Sequence, residues 1–455
     1  MIFLLKYSSS DSSTAAATGT TVPPNHHPTQ LPKPIPVQLK LVTSLLLTML
    51  TGTVLAQPPV TIEGLKRTQN RYLTEHLPEL HEDAHGQLFL IDSLADLPTL
   101  RQRLLNLPPF SDAELDSRND TLRIRIRRAR TIYPLLGFGG VRNNVYWQVG
   151  VHDFHFRGIG QQITAYYQNN AGEHNFLLFH RNPMWRGRWG YAATLRRYAA
   201  VEPVHFSNAT VNYRYTNHDA GVALSHRLAP RSELEFGGSV FRENYRKNEP
   251  ESDLPGPDEL QLDKLLLKLS LLHDRRDYHY ERQGGTLLEA SAQTVLNFSE
   301  GTPFSIAFLN LRHFRLVGPR GNLAGRVRLG LSTNENSPFA PFVLDSQLNI
   351  RGSGNRIDRG TAQFVFNLEY RHTLWRDARN NFVVQGVAFS DFGSWRNPGG
   401  AFRDLTDPGT FTHFVGGGLR LISNKAKNAG FRLDYGVDRT NGTNRGFVFG
   451  VGQYF

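Results

Sequence analysis

The sequence predicts a mainly β protein: a transmembrane antiparallel β-barrel of about 16 strands preceded by one small α+β domain. Three observations carry this. Apolar and polar residues alternate with a period of two through most of residues 135–455, as strands with one apolar face do. That apolar face is rich in Phe, Tyr and Trp, as expected of the girdles of a membrane barrel. An apolar run near the start, residues 41–56, has the form of an export signal.

Composition is consistent with that class. The chain has 455 residues, 41 Gly, 25 Pro, no Cys and a formal net charge of +11. It is long enough for one large domain and one small one. Without Cys there is no disulfide framework and no thiolate metal site. Mean hydropathy is −0.39, and after residue 56 no apolar run reaches the ~18 residues of a helical span. Barrel strands alternate and average out as polar, so this does not count against a barrel.

Residues 1–36 are Ser/Thr/Pro-rich and aperiodic, which reads as a disordered extension or a misassigned start with initiation near Val37 or Leu39. Residues 37–56 read as a signal peptide: Lys40 precedes LVTSLLLTMLTGTVLA, and Val54 and Ala56 form the small-residue cleavage pattern. Residues 58–130 then form the small domain. Val60 to Leu65 is expected as a strand, TQNRYLTEHLPEL as a helix stopping near Pro78, and SLADLPTLRQRLLNL as a helix capped at Ser93. Leu94, Leu97, Leu100, Leu104 and Leu107 follow helical spacing and form its buried face. Two strands follow, SDAEL and TLRIRIRR, the second with Leu122, Ile124 and Ile126 inward. Its arginines form the wet face of a strand, and no nucleic-acid partner is expected of an exported chain.

Residues 135–455 are the barrel. Phe364, Phe366, Leu368 and Tyr370 share one face against Gln363, Asn367, Glu369 and Arg371. Leu265, Leu267, Leu269 and Leu271 oppose Lys264, Lys268 and Ser270, and Phe431, Leu433, Tyr435 and Val437 oppose Arg432 and Asp434. In lipid, closure removes unpaired edges, so the first and last strands meet. The last strand is GFVFGVGQYF, with Phe447, Phe449, Val451 and Phe455 facing lipid and Gly450, Gly452 and Tyr454 inward.

Several segments then become specific. IRGSGNRIDRG spans 350–360, FNLEYRHTLW follows it, and FSDFG spans 389–393. HDRRDYHYERQGG occupies 273–285 and FRGIGQ occupies 156–161. In this order the chain resembles the BamA/TamA family of outer-membrane assembly factors and the related two-partner secretion transporters. Residues 58–130 resemble one POTRA module, the periplasmic domain that precedes such barrels. The likeness covers nearly the whole mature chain.

The resemblance implies that Ile350, Arg351 and Gly352 are the tip of a loop folded into the lumen. It implies that Arg351 meets Asp391 of the strand motif Phe389, Asp391 and Gly393, with Glu369 and Arg371 in the adjoining strand. It implies unfolded or nascent outer-membrane or secreted clients that pair with an opened seam, and periplasmic or lipoprotein partners at residues 58–130. It also implies outer-membrane lipid and lipopolysaccharide around the barrel. Phe447, Phe449, Val451 and Phe455 also resemble the signal that marks barrel proteins for insertion. Three departures stand out: Ser353 replaces the family's aromatic after Arg-Gly, Arg127 and Arg128 stand where an acidic residue is common, and only one module is present.

No enzymatic chemistry is visible. His152 and His155, or His273, Asp274 and His279, could be drawn as metal ligands, but strand spacing does not preset a tetrahedral site. Wet lumen or rim positions suit them better. No metal, cofactor or catalytic set is expected. A passive channel or structural surface protein with the same fold is the alternative function.

Overall fold

The computed structural model describes residues 57–455 except 92–95, 119–120, 142–143, 171, 207–208, 249–252, 299–301, 336–340, 345, 347, 355–357, 426–428, 441 and 443. The expected extension, the signal peptide, Ser93 and Leu94 lie outside these residues.

The first unit contains β1 (Pro59–Glu63), α1 (Asn70–His76), β2 (Leu80–Glu82), β3 (Leu88–Leu90), α2 (Leu97–Asn106), β4 (Phe110–Arg118) and β5 (Thr121–Arg128). They form a five-stranded sheet in the order β2-β3-β1-β5-β4, with β1 parallel to β5. Leu73, Leu77, Leu100, Leu104, Phe110 and Ile124 are the centre of its core. The arginines of β5 alternate outward as its period requires. The two three-residue strands β2 and β3 were not expected, being too short to show a period.

Beyond Arg128 the chain enters a closed barrel. Its strands are β6 (Ile132–Val141), β7 (Asn144–Phe156), β8 (Gln161–Asn170), β9 (Glu173–Arg186), β10 (Trp189–His205), β11 (Thr210–Ala229), β12 (Ser232–Lys247) and β13 (Glu259–Asp274). They continue as β14 (Asp277–His279), β15 (Arg282–Asn297), β16 (Phe304–Val317) and β17 (Gly321–Ser332). Among the described residues the short β18 (Phe342–Leu344) and β19 (Asp358–Gly360) pair with each other, apart from the wall. The wall then resumes with β20 (Ala362–Arg376), β21 (Phe382–Arg396), β22 (Thr412–Ser423), β23 (Ala429–Asp438) and β24 (Arg445–Val451). Seventeen strands belong to the closed sheet; setting aside the three-residue β14 leaves sixteen wall strands, the expected number. Neighbouring wall strands pair antiparallel, and β24 lies beside β6 to close the ring.

The expected outward face is outward. Phe366, Leu368, Tyr370, Leu267, Leu269, Phe431 and Leu433 are all exposed on the wall's exterior, where burial in hydrocarbon replaces burial in a core.

The small unit seats on the turns at one end of the barrel. Arg67 pairs with Asp153 at 3.0 Å, and the Gln69 amide donates to the Gly158 carbonyl at 3.0 Å. Gly158 sits at φ +74°, and a Cβ there would lie 1.6 Å from the Arg67 carbonyl oxygen, so only glycine admits this contact. Arg227 donates to the Glu75 carbonyl at 2.9 Å, and Asn106 of α2 donates to Asp277 at 2.9 Å while accepting from the Tyr278 amide. The FRGIGQ and HDRRDYHYERQGG segments are therefore among the seats of the small unit. His155, expected at a wet lumen or rim position, is instead 3% exposed at this junction, where Thr68 hydrogen-bonds it at 3.0 Å. Among the described residues no group of His, Asp and Glu has the arrangement of a metal site.

His76 is expected to make this junction pH-sensitive. Burial pushes its imidazole down to about 4 and the Arg227 charge adds to that, against the hydrogen bond it makes to the Tyr72 carbonyl. A folded value below the ordinary 6.5 means the seated form holds the neutral ring. Its stabilisation is complete above pH 6.5 and is lost as pH falls toward 4. Spin labels on the small unit and the barrel are expected to give one sharp distance at pH 7.5 and a broad distribution near pH 4.5, with His76→Phe flattening the change. A distribution unchanged between these pH values would contradict this role.

Candidate functional site: the luminal loop and its anchor

The site is built by the 29-residue excursion between β17 and β20, residues 333–361, whose tip enters the lumen. Ile350 and Arg351 are fully buried. Antiparallel register explains what they meet. Asn367 of β20 is directly opposite Asp391 of β21, and Glu369 is opposite Phe389. With a two-residue period, all four point to the same lumen face in adjacent rows.

Arg351 occupies that quartet. Its Nε and Nη2 donate to the two oxygens of Asp391, each at 2.8 Å, and its own amide donates to Asp391 Oδ2 at 3.0 Å. Its Nη1 donates to Glu369 Oε2, and Glu369 Oε1 accepts from Arg371 Nε. Asn367 Nδ2 donates to Asp391 Oδ1 at 2.8 Å and to the Asn349 carbonyl at 2.8 Å. Every one of these charged groups is buried, so each depends on its partner for the hydration it has lost. The bidentate contact also fixes the direction of the loop.

Glycines make the room. Gly352 sits at φ +94°, and a Cβ there would meet Gly436 at 2.8 Å; one on Gly436 would meet the Arg351 carbonyl oxygen at 2.3 Å. Gly436 is paired with Gly446 of β24, so the tip rests on a bare patch that includes the closing strand. Gly416 of β22 lies opposite Phe389, and a Cβ there would be 2.6 Å from that ring. Gly393 likewise leaves space for Trp395 and Ile350.

The last strand departs from expectation. Phe447, Phe449 and Val451 are exposed on the outer face as expected. Phe455 is not lipid-facing: it is 5% exposed and lies in the lumen against Phe314, Ala324 and Tyr454. The physical cause is Gly452, whose φ of +79° ends the strand after Val451 and turns the chain inward. Arg371 Nη2 then donates to the Phe455 carbonyl at 3.0 Å. The Tyr454 ring centre is 4.2 Å from the Arg351 guanidinium carbon, with Phe389 on that guanidinium at 3.8 Å. Arg326 and Arg432 also approach Tyr454, at 5.1 and 4.8 Å. Cations over aromatic faces are attracted to them. Ser353, where the family has an aromatic, donates to the Ile350 carbonyl at 2.9 Å and closes the turn. The aromatic cover on Arg351 comes from Tyr454 instead.

The site residues expected from sequence thus come together around Arg351, with Phe447, Phe449 and Val451 outside. Sequence reasoning missed Arg326, which donates to Asn367 at 2.8 Å and to the Leu348 carbonyl at 2.6 Å, and Tyr454 as part of the anchor.

The Omp85 superfamily domain matches residues 155–455. The chain belongs to the Omp85 superfamily. This Omp85 chain is accordingly an outer-membrane β-barrel. Its fold is similar to that of BamA from Haemophilus ducreyi lacking POTRA domains 1–3, at TM-score 0.54 and 15% identity, covering 86% of this chain and 84% of that one. It is also similar to CdiB from Escherichia coli (TM-score 0.56, 12% identity, 86% and 75% covered). CdiB from Acinetobacter baumannii gives 0.52, 13%, 86% and 72%. At such identities the likeness is one of fold. No curated relative matches this Omp85 chain.

Proposed function

We propose that the protein assists the insertion, assembly or translocation of other proteins at the outer membrane, with residues 58–130 as a POTRA-like domain in the periplasm. The reading rests on one observation above the rest: a fully buried Arg351–Asp391 pair pins a luminal loop whose tip lies on the closing strand. That couples the lumen to the β6–β24 closure. β24 is only seven residues long, against ten to twenty for the other wall strands, and Gly446 and Gly450 weaken it further. An opened closure offers unpaired backbone groups to a client strand, which adds by β-augmentation. Unfolded or nascent outer-membrane or secreted proteins are the clients, and periplasmic or lipoprotein partners engage residues 58–130. No bond is made or broken, so the chain acts without a cofactor and not as an enzyme.

Depletion tests this. Loss of the protein is expected to lower the abundance of other outer-membrane or secreted proteins, and a crosslinker placed in β24 is expected to capture them. An unchanged outer-membrane and secreted proteome, together with steady ion conductance by the purified barrel, would instead make it a passive channel.

A further inference from the structure

An apolar cleft on the outer wall is not used by this reading. The segment joining β21 to β22, residues 397–411, does not extend into solvent; it folds back over the exterior of the barrel. Alternation places Asp391 inward and therefore Phe392 and Ser394 outward. Yet Ser394 is fully buried, because Thr410 and the Asp404 carbonyl lie on its hydroxyl at 3.2 and 3.4 Å. Phe411 meets Phe392 edge-on with ring centres 4.9 Å apart. Two short 3-10 turns, Phe402–Thr406 and Pro408–Thr410, shape the segment.

Between this roof and the wall is a cleft of about 720 Å³. Leu309, Leu329 and Leu331 line it from outward rows of β16 and β17, and Phe402, Leu405 and Phe411 line it from the roof. No charged side chain lines it. Its size falls within the ~300–1,000 Å³ of ordinary ligand pockets. The roof carries Arg403 and Asp407 exposed on its outer side, as suits the headgroup boundary at the rim of the wall. Asp404 and Asp407 cap its two turns, accepting from the Ala401 amide at 3.0 Å and the Gly409 amide at 2.9 Å. Leu405 and Phe411 are half-buried beneath it, and Phe402 stands exposed at its edge. The rows that form the cleft continue along the wall as Leu311 and Leu323, which face lipid, so the cleft opens from the bilayer surface.

We infer that this cleft is a lipid site that holds one acyl chain of lipopolysaccharide. Ordinary wall positions touch a chain from one side, whereas the cleft encloses it between wall and roof and gains dispersion contact on both. The choice of lipopolysaccharide over phospholipid rests on the periplasmic placement of residues 58–130: the cleft is at the opposite end of the strands, in the outer leaflet.

The full chain would be placed in phosphatidylethanolamine nanodiscs with and without lipopolysaccharide, then released into mild detergent for native mass spectrometry. Wild type is expected to retain one lipopolysaccharide. Ala307→Trp fills the cleft from the wall and Leu405→Trp fills it from the roof; each is expected to lower retention at least five-fold, which corresponds to about 1 kcal/mol. Leu323→Trp, outward on β17 but toward the other end, is expected to retain as wild type does. Equal retention in all four proteins, or phosphatidylethanolamine held equally well, would overturn the site. Protease access to residues 58–130 in intact cells reports orientation separately, so a failed orientation and a failed cleft are told apart.

Discussion

Arg351→Ala is expected to cost the barrel about 3–5 kcal/mol, the usual range when one partner of a buried ion pair is removed. The reason is what remains. Asp391 loses three donated hydrogen bonds, and Glu369 keeps only Arg371. Both carboxylates stay where water cannot reach them. Asp391→Ala is expected to cost less, because Arg351 retains Glu369 and the faces of Phe389 and Tyr454. The double variant is expected to fall well short of the sum, since each single change strands a charge that the other removes. Arg351→Lys is expected to recover little: one ammonium cannot span both oxygens of Asp391 and reach Glu369 as the planar guanidinium does. The readout is the midpoint of heat-induced loss of the compact electrophoretic form, with hydrogen exchange over residues 346–354 to show that the loop is what loosens. Additive single effects would mean that the pair does not act as a unit.

The wall was legible in the sequence because lipid enforces its pattern. A strand with hydrocarbon on one side alternates strictly, and Phe364 to Tyr370 or Phe431 to Val437 show it without help. The small unit was legible in outline: helices over Leu73 and Leu100–Leu104 follow from spacing, whereas β2 and β3 are too short to carry a period. The Arg351–Asp391 contact is another matter. Forty residues separate the two, and neither spacing nor composition joins them; the family resemblance did. Once the register is known, Asn367, Glu369, Phe389 and Asp391 fall into one patch by geometry alone. Several glycines have a task that spacing alone does not show: Gly352, Gly416 and Gly436 mark places where another backbone or ring approaches too closely for a Cβ.

Phe455 was misplaced for the same kind of reason. Counting by twos from Phe447 is valid only while the strand continues, and it stops at Val451. A glycine with positive φ resets the direction of everything after it, and the polar Gln453 that follows was the available sign that the segment had left the lipid face. Inside, Gln453 donates to Gln385 at 3.2 Å and its carbonyl accepts from Arg432 at 3.2 Å. Three consecutive residues thus hold the end of the closing strand to the lumen.

This separates the aromatic residues of that segment into two groups with opposite expected behaviour. Phe455→Ala removes a ring packed against Phe314 and Ala324 and approached by Arg326 and Arg371, and is expected to cost about 3 kcal/mol or more, as large-to-small changes at buried aromatics do. Tyr454→Ala uncovers the Arg351 guanidinium and is expected to cost a similar amount, whereas Tyr454→Phe keeps the ring on Arg351, loses a long hydrogen bond to the Ser346 carbonyl, 3.3 Å, and is expected to cost much less. Phe447→Ala, on the lipid face, is expected to cost less than about 1 kcal/mol once the barrel is inserted, because hydrocarbon takes up the vacated surface. Heat-induced midpoints rank the four variants. Hydrogen exchange then distinguishes a local defect from a coupled one: Tyr454→Ala is expected to raise exchange in the loop at 346–354 as well as in β24, although the two are about a hundred residues apart in sequence. Combining Tyr454→Ala with Arg351→Ala should add little to the loop's exchange beyond Arg351→Ala alone, since both act through the same guanidinium. If Phe447→Ala proved the more damaging change in the folded barrel, or if Tyr454→Ala left the loop's exchange unaltered, the inward segment would be packing against the lumen without anchoring anything in it.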